Sequence, residues 1–192
     1  MRYGRKLASV SVALIFAGSA AFSDAADLDA AAREGIGAAE AGEYRAAYDS
    51  FRAAALAAWE EMPLQIGTAV LSAGPTRSYG GYQARDSNVY TAGETVRLYA
   101  DVLGFDHRRT ADGYEAMVAV DFFVKLPDGE VLGGRENMLR RHLVGTKRNT
   151  EFFLDLTYTL TGLPPGDYVV TTRVRDVVGN QQTEVDTAIV FR

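Results

Sequence analysis

"LPPGDYVVTTRVRD", residues Leu163 to Asp176, reads as a corner followed by a strand. Pro164 and Pro165 fix φ and remove backbone donors, Gly166 relaxes the bend, and strict alternation follows. Tyr168, Val170, Thr172 and Val174 fall on one face, and Arg173 and Arg175 on the other, where they are expected to stand free on the outer surface to meet a partner. A strand with one buried face so near the end of the chain requires a sheet assembled from segments on either side of it.

The same alternation recurs upstream. Val96, Leu98, Ala100 and Val102 alternate with Thr95, Arg97, Tyr99 and Asp101, and Val118, Val120, Phe122 and Val124 alternate with Ala119, Asp121, Phe123 and Lys125. Phe152, Leu154, Leu156, Tyr158 and Leu160 form a third inward set, and Val185, Thr187, Ile189 and Phe191 close the chain. "LPDGEV", through Pro127, Asp128 and Gly129, is a hairpin turn, and "VVGNQQ" another, with Gly179 and Asn180 suited to positive φ. Adding residues 66–73 and a short piece near Val89 gives about seven to nine strands, the count of an antiparallel sandwich.

The stretch from Leu163 to Val174 resembles the tyrosine corner of immunoglobulin-like and fibronectin-type sandwiches. The resemblance covers residues 66–192 and implies that Tyr168 hydrogen-bonds back to its corner, with Leu163 as a core anchor. The chain has no cysteine and its one tryptophan, Trp59, lies upstream, so the antibody-type Cys…Trp…Cys pattern is absent.

Residues 26–63 follow a helical period instead. They are alanine-rich, free of proline before Pro63 and broken at Gly42, which predicts helices over 27–41 and 44–61. Tyr44, Ala47, Tyr48, Phe51, Ala54, Ala55 and Leu56 fall largely on one face. "GAAEAGEYRAAYDSFRAAA" resembles one tetratricopeptide repeat, with Gly35, Gly42, Tyr44, Ala47, Phe51 and Ala54 at that family's small and aromatic positions. Ala31 and Glu34 replace the family's tryptophan and leucine. Such repeats normally stack at least three deep, so a single unit is expected to pack on the neighbouring domain or on a second copy.

Residues 1–25 have the layout of a secretory signal peptide: Arg2, Arg5 and Lys6 precede an apolar run from Leu7 to Phe22 that ends in small residues. That run is shorter than a bilayer span, so no stable membrane span is expected once it is removed. Its removal takes the basic count from 20 to 17 against 25 acidic residues, a balance that argues against nucleic-acid binding. Residues 24–65 hold three arginines against nine acids, so the negative charge concentrates on the hairpin.

Catalytic signals are sparse. There is no G-x-S-x-G, H-E-x-x-H, P-loop, calcium-loop or dinucleotide pattern, and His107 and His142 are the only imidazoles. Neither an enzyme nor a cofactor or metal is expected. Two segments are binding candidates. Tyr79, Tyr82 and Tyr90 flank Gly80 and Gly81 in "SYGGYQARDSNVY", where flat rings could stack on a sugar or a protein. Arg140, Arg141 and His142, inside the basic stretch 135–148, could hold an anionic group, or could guard a sheet edge against unwanted pairing. The expectation is a non-enzymatic secreted or periplasmic protein that binds or scaffolds an envelope protein or glycan, with self-association open to the hairpin. One alternative is a carbohydrate- or peptidoglycan-binding accessory module, and another is a periplasmic assembly factor acting by strand pairing.

Overall fold

The computed structural model describes residues 27–192; the expected signal peptide lies outside the described residues. Asp27 caps the first helix, its Oδ1 accepting from the Asp29 backbone N–H at 3.0 Å. Helix α1, Leu28–Glu40, is reversed by Gly42 at φ 79° into α2, Tyr44–Glu61, which ends ahead of Pro63. Ala31, Gly35, Ala47 and Ala54 are buried, small residues that let the two backbones close together. Gly35 makes room for the Phe51 ring, which a Cβ would meet at 2.7 Å.

Nine strands follow: β1 (Gln65–Leu71), β2 (Val89–Tyr90), β3 (Val96–Leu103), β4 (Arg108–Thr110), β5 (Gly113–Lys125), β6 (Val131–Gly145), β7 (Phe153–Tyr158), β8 (Gly166–Asp176) and β9 (Gln181–Phe191). One sheet has the order β1-β3-β7. The other runs β2-β9-β8-β5, with β4 and β6 both paired to β5 and β2 parallel to β9. Val96, Leu98, Ala100, Val102, Leu154 and Leu156 of the first sheet are buried with Val118, Val120, Val170 and Val174 of the second in one core. The fold is therefore mainly β, an antiparallel immunoglobulin-like sandwich with an N-terminal helical hairpin.

Tyr168 latches its corner: the phenol donates to the Pro164 carbonyl at 2.8 Å, and the ring meets Phe191 edge-on. Tyr168→Phe is expected to cost roughly 1 kcal/mol in chemical denaturation; an unchanged midpoint would deny the latch its role.

Two expectations for this face need correction. Arg173 and Arg175 are not free on the outer surface: Arg173 pairs with Glu184 at 2.6 Å, and Arg175 grips Asp121 at 2.9 and 2.8 Å. Because β8 is central, its outward residues lie beside acids from both neighbours, Asp121 of β5 and Glu184 of β9. In the last turn only Asn180 takes positive φ, at 54°. Gly179 is required for space instead, since a Cβ would run into the carboxylates of Asp106 and Asp176.

The hairpin is fixed to the sandwich at the end of α2. Trp59 Nε1 donates to the Phe105 carbonyl at 2.8 Å and its ring meets Phe105 edge-on at 5.1 Å. Glu60 pairs with Arg148, and the Leu64 N–H donates to Gln181 Oε1 at 3.0 Å. Gly104, at φ 71°, lets the chain pass against the Pro63 carbonyl, where any side chain would collide.

Candidate functional site: a cleft between helix and sandwich

Anchoring α2 at one end leaves a cleft of about 870 Å³ between this helix and the sandwich. Tyr48, Phe51, Leu56 and Met62 form the helix wall; Tyr79 and the loop 148–151 face them. The helical face read from sequence divides here. Its alanines, Ala47 and Ala54, are buried, while Tyr44, Tyr48 and Phe51 are 75, 59 and 44% exposed. The small residues of α1 explain the division: they leave room for the methyl groups of Ala47 and Ala54 between the helices, and the Phe51 ring lies over Gly35 with much of its surface still exposed.

The cleft is polarised. Beside Arg52 and Leu56 it adjoins a second depression of about 320 Å³, to which Lys147, Arg148 and Tyr114 contribute. Arg148 is neutralised by Glu60 and lies 5.3 Å from the Tyr114 ring centre; no ion pair holds Arg52 among the described residues. Toward Tyr79 the surroundings are acidic. Burial, then the nearby Asp101 carboxylate, push its phenol above the ordinary tyrosine range.

The tyrosines singled out in the sequence separate. Tyr79 alone joins the cleft. Tyr82 lies on Tyr99 with ring centres 4.5 Å apart, and the Gly80 N–H donates to the Tyr99 hydroxyl, so the loop folds back onto β3. Tyr90 is 1% exposed, packed beside Phe191 under the Arg85 guanidinium.

The basic stretch also divides. Arg140, Arg141 and His142 are exposed on β6, an edge strand paired only to β5. Alternation turns Arg140 and His142 to the outer face, where they meet Met117 at 3.4 Å and Glu115 at 2.8 Å, while Arg141 stands opposite the core residue Val118 on the other. Lys147 and Arg148 lie beyond the strand end, at the hairpin. A bulge at Asn137, φ 51°, sets three residues of β6 against Asp121 and interrupts the edge.

His107 Nε2 lies 3.0 Å from the Asn149 carbonyl, beside Trp59 and Phe105, and burial holds the imidazole below its ordinary pKa. Neither imidazole is hydrogen-bonded to a hydroxyl among the described residues. No group of three or more His, Asp or Glu side chains suited to a metal gathers among them, and none of their helices is long and apolar enough to cross a membrane.

Tyr48 and Phe51, which the helical period assigned to packing, are functional candidates, as is Arg52, which no sequence pattern singled out. The available signal was size: a facing helix built on alanine and glycine cannot bury two tyrosines and a phenylalanine on one stripe.

No family model and no curated protein matches the sequence. Among solved structures, the chain is similar to the PKD domain of an M14-like peptidase from a Thermoplasmatales archaeon, at 11% identity and TM-score 0.35 over 68% of this chain and 96% of that one. A CARDB domain from Pyrococcus furiosus aligns at 11% identity and TM-score 0.30 over 70% and 96%. Fibronectin(III)-like modules of Clostridium thermocellum CbhA align at 13% and 0.27, over 67% and 45%.

Proposed function

We propose that the protein is a non-enzymatic secreted or periplasmic module that binds another envelope macromolecule through the cleft between α2 and the sandwich. One observation carries the reading: Tyr44, Tyr48 and Phe51 stand exposed along a helix that Trp59 holds rigidly beside a second wall. Contiguous exposed apolar surface of this kind marks interaction sites. A site built for glycans through Tyr79, Tyr82 and Tyr90 is less favoured, since those rings do not share one surface. Strand pairing at β6 is opposed by its bulge and its basic side chains.

A photo-crosslinking residue at Tyr48 is expected to give a discrete adduct in the native envelope fraction, lost on Phe51→Ser. The same residue at Val144, exposed on β6, is expected to give none. Equal adducts from both positions, or none from Tyr48, would overturn the assignment.

A further inference from the structure

Resting on that reading, we propose that the occupant of the cleft is an amphipathic α-helix of a partner protein carrying acidic residues along one flank. Apolar residues stand at 44, 48, 51, 55 and 58 of α2 and at its C-cap, 62; the first four are exposed and Ala58 and Met62 half-buried. They advance by alternating steps of four and three, the spacing of a coiled-coil seam, whose side chains insert between those of a facing helix. All but Tyr44 line the cleft. Its volume of about 870 Å³ holds roughly two turns of a helix about 10 Å across, enough to cover the seam from Tyr48 to Ala55.

The flanks choose the partner's charge. On one side of the seam Ala47 and Ala54 are buried and closed to a newcomer. The open side carries Arg45 and Arg52, and Lys147 continues that rim from the sandwich, where Arg148 is already paired with Glu60. Arg45 is engaged with Asp49 at 2.9 Å, whereas no ion pair holds Arg52 among the described residues. A helix lying in the seam brings its own flank against these cations, so glutamates or aspartates there are matched and lysines opposed.

A second copy is a poor occupant for the same reason. Two antiparallel α2 helices would bring Arg45 and Arg52 of one against those of the other, and a parallel pair needs the flank that α1 already covers. A bilayer is opposed by the second wall, since residues 148–151 face the seam across the cleft.

Trp59, the only tryptophan, lines the cleft floor and reports occupancy. The probes are two capped peptides of about 15 residues, both with leucine at the seam positions, one with glutamate and one with lysine on the flanks. The glutamate peptide is expected to bind about tenfold more tightly, an advantage that shrinks with salt. Arg52→Glu, and independently Lys147→Glu, should erase or invert the order. Equal affinities, an order indifferent to both variants, or no binding of either peptide would overturn the proposal. If the Tyr48 adduct persists in that event, only the acidic-helix assignment falls; if it is missing as well, the binding reading falls with it.

Discussion

Trp59→Ala is expected to lower stability by about 3–5 kcal/mol, the usual cost of deleting a large buried aromatic. For a domain of this size that corresponds to a fall in melting temperature of about 10 °C. The indole does two things at once. Its ring is 8% exposed and belongs to the sandwich core although its backbone belongs to the hairpin, and its N–H satisfies the Phe105 carbonyl. Removing it opens a cavity beside Phe105 and leaves that carbonyl unpaired. It also withdraws the main apolar contact joining hairpin to sandwich, so hydrogen exchange in α1 and α2 should rise more than in β5 or β8. Trp59→Phe separates the contributions: it keeps most of the packing, loses the hydrogen bond, and should cost about 1–3 kcal/mol. A melting temperature within a degree or two of the parent for Trp59→Ala would mean that the hairpin is not built into the core, and the cleft would lose its fixed wall.

What the sequence conveyed depended on which constraint was local. Period-two alternation located β3, β5, β7, β8 and β9 and their inward residues, because a sheet face is written directly in residue order. The tyrosine corner was legible for the same reason, since Tyr168 and Pro164 are four residues apart. The cleft was not. It depends on α2 passing beside Tyr79 and the 148–151 loop, contacts that no local pattern encodes. Tyr99 shows the same limit: it alternates outward on β3, yet is 1% exposed because the loop carrying Tyr82 folds over it. The charge pattern misled most at Arg175, which read as solvated and is the partner of a buried acid.

That pair makes the second large expectation. Asp121 is 2% exposed, and burial alone would push its pKa up. The two Arg175 hydrogen bonds, the Asn137 N–H at 2.7 Å and the nearby Arg173 charge outweigh burial and hold it below the ordinary carboxylate range. Arg175→Met keeps the stem of the side chain and removes the guanidinium, leaving a buried carboxylate with only the Asn137 N–H and the nearby Arg173 charge to stabilise it. A loss of about 3–5 kcal/mol is expected at neutral pH. The sign with pH follows from the shift. In the parent, a folded pKa below the unfolded one means that Asp121 contributes stability above about pH 4, which is lost as pH falls through the folded value. In Arg175→Met burial dominates, the folded pKa rises, and protonation relieves the penalty, so the gap between variant and parent should narrow as the solution is acidified. Asp121→Asn added to Arg175→Met should recover part of the loss at pH 7, because a neutral amide has no buried charge to compensate. A gap that stays constant between pH 7 and pH 4, or a double variant no better than the single one, would show that Asp121 is reached by water and that the arginine is held there by packing alone.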